Sequence, residues 1–390
     1  MELILWLSLF VVVYTFVGYG ILLYIIIRIK RIFRGKCREI EVNPDLLPTC
    51  TLVVAAYNEQ DYMIEKIKNT LALKYPAGKL KFLFVTDGSN DRTPDIIKEY
   101  PQIELMHEAA RNGKIMAIHR AMKNVHTEIA VFTDANTFLN EDAIINICRH
   151  YADQTVGAVA GEKRVQVDEN ADASAAGEGF YWKYESALKK WDSELYSVVG
   201  AAGELFSVRT SLYKPVNDNA ILDDFMISML IAQEGYRIVY EPASYAIETS
   251  SANVTEELKR KIRIAAGGIQ SIIWLKGLLN PFGQPLLSFQ YISHRVLRWT
   301  ITPFLLILSF ILTVVLAIKG LAFYQFLLAA QILFYGMSVL GWVMEKRELR
   351  IKILFIPYYF CVMNYAVLMG IIRYFRKAQS ASWEKAARKQ

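Results

Sequence analysis

Long uncharged stretches near both ends of the chain constrain its fold more than any other feature of the sequence. Residues 3–27 carry no charge, and roughly 20 apolar residues are enough to cross a bilayer. Three more apolar stretches, residues 300–318, 321–344 and 353–372, follow near the other end. Each stretch is predicted to be a membrane-spanning helix, because a helix satisfies all its backbone polar groups within lipid.

Basic residues indicate how the first stretch is oriented. Arg28, Lys30 and Arg31 follow it directly, and the positive-inside rule places such a cluster in the cytoplasm. No basic region precedes the stretch and no small-residue cleavage site follows it, which favours a retained anchor over a signal peptide. Residues 1–27 are therefore predicted to be an anchor with an outside N-terminus, and residues 28–44 a basic linker.

The basic tail, residues 373–390, conflicts with this topology. Residues 251–299 mix basic, glycine and aromatic residues, as amphipathic helices on the membrane surface do. Three crossings within residues 300–372 would then leave the tail outside, although the positive-inside rule places its lysines and arginines inside. We favour three true spans. The alternative is one re-entrant stretch, which is tolerated only where its backbone is buried in protein.

Charge and cysteine spacing indicate the partners and the compartment. The net charge of +6 reflects basic residues that border the spans, so we predict no nucleic-acid partner. The four cysteines show no metal-ligand spacing and are predicted to be reduced. We expect an integral protein of the inner or plasma membrane, with the lipid bilayer as a partner and the middle of the chain in the cytoplasm.

Residues 45–250 alternate short apolar runs with amphipathic stretches. The apolar runs are residues 51–56, 81–86, 129–133 and 156–160. The helical patterns between them are residues 59–71, 94–99, 113–124 and 141–151. Continuous apolar runs are typical of strands with helices on both faces. The alternation predicts one α/β domain with a doubly wound, mostly parallel sheet and right-handed crossovers.

Oxygen-bearing side chains follow one of these runs directly. Asp134 and Asn136 come after residues 129–133, and ligands of open α/β sheets collect at the carboxyl ends of strands. A carboxylate and an amide oxygen suit Mg²⁺ or Mn²⁺, which would clamp a nucleotide diphosphate. For this motif alone, a loop aspartate that satisfies its own backbone is an equally good explanation.

The end of the first apolar run also suits a nucleotide. It leads into the start of a helix, where a nucleotide would lie against backbone amides. A helix cap followed by an acidic first turn is the plain alternative. The predicted nucleotide-binding residues of this segment are Ala56, Tyr57, Asn58 and Glu59.

Two further positions point to the same ligand. Asp87 and Gly88 end the second run, where the carboxylate could accept a hydrogen bond from a base or ribose. Lys114 opens a predicted helix, a poor place for a structural cation but a good one beside phosphates. The alternatives are a common turn for the first and a solvated surface lysine for the second.

Together these motifs resemble the family 2 glycosyltransferases, a GT-A fold group that includes cellulose, chitin, hyaluronan and poly-N-acetylglucosamine synthases and related lipid glycosyltransferases. The resemblance covers the soluble domain and the membrane arrangement. It implies that residues 56–59 and 87–89 bind the nucleotide and that Asp134 and Asn136 take the place of a metal-binding Asp-x-Asp motif. Asn136 is neutral where many members carry a second carboxylate, so Asp134 and two phosphate oxygens would hold the ion.

Later segments extend the resemblance to the acceptor side. Gly203 and Glu204 lie in a glycine-rich segment similar to the family's acceptor segment, and a plain turn before a strand is the alternative. Asp223 and Asp224 resemble the family's Thr-Glu-Asp type motif, which implies that Asp224 is the general base and Asp223 a support or acceptor ligand. Adjacent aspartates are also typical of a helix N-cap.

The last motif departs from the family pattern. Arg263 aligns with the arginine of the Gln-x-x-Arg-Trp motif, but Arg260 replaces its glutamine and Ile264 its tryptophan. The two arginines share a helix face and suit a diphosphate, with contact to anionic lipid as the alternative for this basic helix. The missing tryptophan leaves processive polymerisation in doubt. Trp182, in an aromatic cluster, could stack on an acceptor sugar, although aromatics at helical spacing more often serve the core.

The sequence therefore predicts an inverting membrane glycosyltransferase that moves a sugar from a UDP-sugar to a lipid-linked or growing glycan acceptor. Both a polysaccharide synthase and a single-sugar lipid transferase remain open. A hypothesis of another class is a non-catalytic membrane scaffold with a degenerate nucleotide-binding domain, against which the presence of Asp87, Asp134 and Asp224 argues. We expect these three carboxylates to converge on one cation-bearing cleft at the membrane.

Overall fold

A mixed β-sheet lies between membrane helices from the two ends of the chain. The computed structural model describes residues 1–35, 43–166, 173–249, 254–347 and 351–377. Its strands are β1 (Cys50–Ala56), β2 (Leu80–Asp87), β3 (Glu104–Glu108), β4 (Ile129–Asp134), β5 (Thr137–Leu139), β6 (Val156–Gln166), β7 (Leu205–Arg209) and β8 (Arg237–Thr249). The four predicted apolar runs are all strands, while β3 and β5 were not predicted.

Helices flank the sheet on both sides and extend from it at both ends. Those before β7 are α1 (Glu2–Val13), α2 (Tyr19–Arg34), α3 (Gln60–Leu71), α4 (Thr93–Lys98), α5 (Lys114–Met122), α6 (Ala143–Cys148) and α7 (Ala173–Leu195). Those after it are α8 (Asp223–Gln233), α9 (Val254–Trp274), α10 (Pro285–Tyr291), α11 (Leu297–Trp299), α12 (Thr302–Ile318), α13 (Ala322–Lys346) and α14 (Lys352–Phe375). Single π-helical turns, Tyr14–Gly18 and Ile292–Val296, interrupt two of these regions.

The strand order is β3-β2-β1-β4-β7-β6-β8-β5. β1 pairs in parallel with both β2 and β4, β2 pairs in parallel with β3, and β6 pairs in parallel with β8. β7 runs antiparallel to β4 and β6, and β5 antiparallel to β8. Parallel pairing therefore dominates, and the predicted doubly wound α/β class is confirmed. Because Ala55 lies opposite Asp134, β1 and β4 end at the same edge of the sheet.

Both faces of the sheet are buried, as the continuous apolar runs predicted. Every residue of β1 is buried. Successive side chains point to opposite faces, so Val53 joins one hydrophobic core with Phe132, while Leu52 and Val54 join a second core on the other face. A ligand is then expected at the strand ends, outside these two cores.

The N-terminal helical region is longer than predicted. It continues through Arg34 and ends at Gly35, whose positive φ of 73° suits a helix terminus. Arg31 forms an ion pair with Glu194 at 2.6 Å, and Lys30 donates to the Glu194 carbonyl at the end of α7. These contacts hold the basic segment as helix. The predicted start of a linker at residue 28 is corrected, and residues 36–42 lie outside the described part.

Three helical segments in the described ranges are long and apolar enough to cross a membrane: Glu2–Phe33, Ala322–Lys346 and Ile353–Phe375. A fourth span is present if the pair Pro285–Trp299 and Thr302–Ile318, bent by 59°, counts as one broken span and not a re-entrant loop. The predicted arrangement of one N-terminal and about three C-terminal membrane helices is confirmed. The chain is a membrane protein, and the side of the membrane on which each end lies stays a prediction.

Helices α9 and α14 pack closely against each other. A Cβ atom on Gly370 of α14 would lie 2.5 Å from the Ala265 Cβ and 2.8 Å from the Ala266 backbone nitrogen. Ala265 and Ala266 are buried in this contact. The helix predicted to lie on the membrane surface is therefore also packed against the last membrane helix.

Replacing Gly370 with alanine should destabilise the protein. The added methyl group has no space, and overpacking of this kind costs about 1–3 kcal/mol. Gly336 is the matched control, because it also lies in a membrane helix and nothing lies within 4 Å of its added Cβ. In detergent, Gly370→Ala should lower the melting temperature and Gly336→Ala should not. Equal melting temperatures for the two variants would contradict this packing.

Candidate active site

The carboxyl end of the sheet opens into a cavity of about 970 Å³. Asp134 reaches it from the end of β4, and Asp224 reaches it from the first turn of α8. The predicted site residues that line this cavity are Glu59, Lys114, Asp134, Asn136, Gly203, Glu204, Asp223, Asp224, Arg260 and Arg263. The fold therefore brings the proposed metal, base and acceptor segments together, although they are far apart in sequence.

Lys114 occupies the centre of the charged end of the cavity. Its Nζ donates a hydrogen bond to Asp134 Oδ1 at 2.6 Å. Burial alone would lower the pKa of Lys114, but the negative charges of Asp134, Asp223 and Asp224 raise it above its ordinary value. Lys114 is therefore a fixed positive charge that three carboxylates share.

Asp224 has the properties of a proton acceptor. Burial, and then the neighbouring charge of Asp223, raises the pKa of Asp224 to about 7, while Lys114 acts in the opposite direction. The Asp224 Oδ1 accepts a hydrogen bond from the backbone amide of Phe225 at 2.8 Å. A carboxylate with a pKa near neutrality is well matched to general base catalysis. The buried Oδ2 of Asp223 has no hydrogen-bond partner in the described chain and can accept one from a ligand.

Glycines bring the backbone close to these carboxylates. A Cβ atom on Gly203 would lie 3.2 Å from both Asp224 Oδ2 and Lys114 Nζ. Gly200 has a φ of 81°, and a Cβ there would lie 2.1 Å from the ring of Phe225. A larger residue at either position would occupy part of the cavity or displace its wall. Small residues are therefore needed at both positions to keep the cavity open.

Asp87 does not line this cavity. It is buried, and its Oδ2 accepts hydrogen bonds from the backbone amides of Asn112 at 2.8 Å and Gly113 at 2.6 Å. Its Oδ1 lies 3.6 Å from Arg120 Nη1. The carboxylate thus shapes the turn that leads into Lys114. The expectation that three carboxylates share one cleft is corrected, because Asp134 and Asp224 line the cavity and Asp87 does not. The nucleotide-binding role of Asp87 stays a prediction.

The remaining predicted nucleotide residues form a neighbouring group at the ends of β1 and β2. Asn58 has a positive φ of 52° and its side-chain nitrogen donates to the Asn90 side chain at 2.8 Å. The guanidinium carbon of Arg111 lies 4.0 Å from the centre of the Tyr57 ring. Of this group only Glu59 lines the cavity; Ala56, Tyr57, Asn58 and Gly88 do not. Their nucleotide-binding role stays a prediction.

Glu204 and Arg260 are engaged with other charges. Arg260 lies 3.6 Å from the Glu204 carboxylate and 3.8 Å from that of Glu248, and Lys163 lies 2.5 Å from Glu204. Burial alone would raise the pKa of Glu204, but Lys163 and Arg260 lower it well below its ordinary range. This cluster ties α9 to β6 and β8. Arg263 also lines the cavity and has no ion pair in the described chain, so unlike Arg260 it is not engaged by a carboxylate.

Sequence reasoning missed Lys163 and Glu248, both of which line the cavity. In the sequence, each of them is marked only as a charged residue within a strand, Lys163 in β6 and Glu248 in β8. It also missed a buried network in which Asp192 lies 2.6 Å from His294 Nδ1, and Glu185 lies 3.1 Å from His294 Nε2. Tyr19 of α2 donates to Asp192, so the network joins the N-terminal helix to α7.

Trp182 lies within α7, but its side chain is outside the described part of the structure. Its predicted stacking on an acceptor sugar therefore stays a prediction. The described residues nearby, Glu185 and Lys189, do line the cavity, so this helix forms one of its walls.

The residues present fit a divalent cation that is shared with phosphate oxygens. Asp134 and Asn136 offer hard oxygen donors at the cavity wall. Across the described ranges, no group of three or more histidine, cysteine, aspartate or glutamate residues could hold a metal ion. Asp134 and Asn136 would therefore share the ion with the oxygens of a bound diphosphate.

Residues 51–215 match the family model described as glycosyl transferase family 2. The matched residues are fewer than half of the chain, and over this segment the chain is similar to the family. The match contains Lys114, Asp134 and Gly203 but ends before Asp224 and α9. These later segments are included in the candidate site because they line the same cavity.

Two curated proteins are similar to this chain in sequence. Poly-β-1,6-N-acetyl-D-glucosamine synthase from Staphylococcus aureus is 26% identical over 244 residues, which cover 60% of this chain and 58% of that protein. β-Monoglucosyldiacylglycerol synthase from a Nostoc species is 28% identical over 168 residues, which cover 41% of this chain and 34% of that protein. The aligned part thus spans little more than half of the first relative.

A solved structure shares nearly the whole architecture of this chain. It is a mannosyltransferase from Pyrobaculum calidifontis in complex with GDP-Man and Mn²⁺, with a TM-score of 0.71 and 22% sequence identity. The superposition covers 96% of this chain and 100% of that one. At this identity the likeness establishes the fold, and the predicted GT-A fold with its membrane helices is confirmed.

Removing the central cation should destabilise the protein. Lys114→Gln leaves three carboxylates without their shared positive charge, and breaking a buried ion pair from one side costs about 3–5 kcal/mol. The double variant Lys114→Gln/Asp134→Asn should recover part of this loss, since it also removes one of the uncompensated charges. Thermal melts in detergent would measure both effects. A Lys114→Gln protein as stable as wild type would contradict the shared-cation arrangement.

Proposed function

We propose that this protein is an inverting, metal-dependent glycosyltransferase that transfers a sugar from a nucleotide sugar, a UDP-sugar, to an acceptor held at the membrane. The observation that carries the proposal is the shared cavity, in which Asp134 and Asp224 lie on either side of Lys114. One side suits a diphosphate and the other suits an acceptor hydroxyl. The cavity thus offers the two halves of a transfer reaction within one enclosed space.

On the donor side, Lys114 would bind the diphosphate, and Asp134 with Asn136 would hold Mg²⁺ or Mn²⁺. When bound, the ion supplies positive charge that neutralises the departing diphosphate. The fold neighbour from P. calidifontis holds GDP-Man and Mn²⁺, and we extend a nucleotide-sugar donor and a divalent ion to this chain. Lys114 would then move from Asp134 towards the phosphates, because the ion takes over its charge.

On the acceptor side, Asp224 would take the proton of the attacking hydroxyl. The acceptor oxygen forms a bond to the anomeric carbon while the bond from that carbon to the diphosphate breaks. Attack from the face opposite the diphosphate inverts the anomeric configuration. A positioned base contributes roughly 10²–10⁴-fold to such a step. Asp223 would orient the hydroxyl, and Gly203 leaves room for the sugar beside Asp224.

The relatives suggest two acceptor classes. The S. aureus relative is named as a polysaccharide synthase and the Nostoc relative as a glycolipid synthase. Ile264 stands where processive members carry a tryptophan, which favours the transfer of single sugars. We further propose that the catalytic domain is cytoplasmic and that the N-terminus lies outside.

Asp224→Asn should abolish transfer of labelled sugar from nucleotide sugars, because an amide cannot accept the proton. Binding of the nucleotide should survive, so UDP or GDP with Mn²⁺ should still raise the melting temperature of the variant. Asp218→Asn is the control, since Asp218 is an exposed aspartate on a nearby loop and does not line the cavity. Full transfer activity in Asp224→Asn membranes would exclude Asp224 as the base. Nucleotide binding without turnover in the wild type would support the scaffold hypothesis.

A further inference from the structure

The catalytic cavity continues from the carboxylates to two apolar helices. Phe16 and Val17 of the N-terminal helical region form one side of this extension, and Phe360 and Met363 of α14 form the other. Both helical regions are long and apolar enough to span a membrane. The cavity therefore connects the predicted base with the lipid-facing part of the protein.

A π-helical turn places Phe16 and Val17 on the cavity wall. The turn spans Tyr14–Gly18, and the Phe16 carbonyl accepts a hydrogen bond from the Tyr184 hydroxyl at 2.9 Å. The Phe16 ring packs on Phe360 with a centroid distance of 4.8 Å. Such turns are frequent at functional sites. Here the turn joins the first and last membrane helices at the cavity.

The side chains of this extension suit an alkyl chain better than a glycan. Val17, Ile356, Met363 and Val367 all line it. None of these side chains can form a hydrogen bond with a sugar hydroxyl, and aliphatic or thioether groups adapt to flexible hydrocarbon. Tyr359 and Asn364 of α14 also line the cavity, but these two polar residues are fewer than the four apolar ones. The apolar lining therefore favours a lipid tail as the occupant.

Two arginines lie on the wall of the same cavity with no acidic partner. Arg263 of α9 and Arg373 of α14 are half-buried, and in the described part of the chain neither forms an ion pair. Their helices are in contact at Gly370. Arg295, by contrast, pairs with Glu185 at 3.0 Å. Guanidinium groups bind phosphate through paired hydrogen bonds, so Arg263 and Arg373 offer a site for an anionic head group.

We propose that the acceptor is an amphipathic lipid whose head group carries an anionic phosphate and a hydroxyl. The tail lies between Val17 and Met363, Arg263 and Arg373 hold the phosphate, and the hydroxyl reaches Asp224. The hydroxyl oxygen bonds to the anomeric carbon, the bond to the diphosphate breaks and the proton passes to Asp224. This inference rests on the proposed function and decides between its two acceptor classes.

Lipid binding to the purified full-length protein tests the inference. Phosphatidylglycerol has a phosphate, hydroxyls and two acyl chains; diacylglycerol with the same chains lacks the phosphate, and glycerol phosphate lacks the chains. Native mass spectrometry should show at least tenfold stronger retention of phosphatidylglycerol than of either control. Arg373→Gln should remove most of this preference, whereas Arg376→Gln, at an exposed position one turn away that does not line the cavity, should not.

A second pair of variants tests the position of the tail. Val17→Trp should fill the apolar extension and reduce phosphatidylglycerol retention about tenfold. Val13→Trp, one turn away at a position that is 58% exposed and outside the cavity lining, should leave retention unchanged. Melting temperatures of all four variants identify any loss that comes from misfolding.

The outcomes separate this inference from the proposed function. Equal retention of phosphatidylglycerol and diacylglycerol, or retention that is unaffected by both Arg373→Gln and Val17→Trp, would overturn the inference. A water-soluble polymer made equally well by Val17→Trp would overturn it in favour of a growing glycan. If Asp224-dependent sugar transfer persists in these cases, only the acceptor is wrong. If the lipid binds as expected but no nucleotide sugar is turned over, the proposed function fails and the lipid site stands.

Discussion

A single ammonium group holds the charged end of the cavity together. Asp134, Asp223 and Asp224 come from two distant elements, and three carboxylates packed this closely repel one another unless a cation lies among them. Lys114 provides that charge, and Asp87 fixes the turn that positions it by binding the amides of Asn112 and Gly113. The geometry of the donor and acceptor sides therefore depends on one turn between β3 and α5.

Local patterns were sufficient to predict most of the sheet and the end of the sheet at which the site lies. Asp134, Asp224 and Lys114 could be selected from sequence because each follows or begins a recognisable element. The role of Asp87 could not, since its hydrogen bonds go to a loop 25 residues away. The partners of Arg260 were missed for the same reason: Glu204 and Glu248 meet it only after β6, β7 and β8 assemble. β3 and β5 are short strands with weak apolar patterns.

The membrane part is coupled to the catalytic domain through buried polar contacts. Tyr19, Asp192 and His294 link the N-terminal helix, α7 and the segment before α12. Glu185 extends this network to Arg295 and Arg298 on the cavity wall. Polar groups that are buried and mutually satisfied fix one arrangement of neighbouring helices. The apolar extension of the cavity consequently has a defined position relative to Asp224, which a membrane-bound acceptor requires.

The central claim is that a donor and its divalent ion bind where Lys114 now holds Asp134. A structure of the protein with UDP and Mn²⁺, in which anomalous diffraction locates the manganese, tests this claim most directly. The account predicts manganese in direct contact with Asp134 and the diphosphate, and Lys114 displaced from Asp134 towards the phosphate oxygens. Manganese bound elsewhere, or an intact Lys114–Asp134 ion pair beside bound UDP, would contradict it.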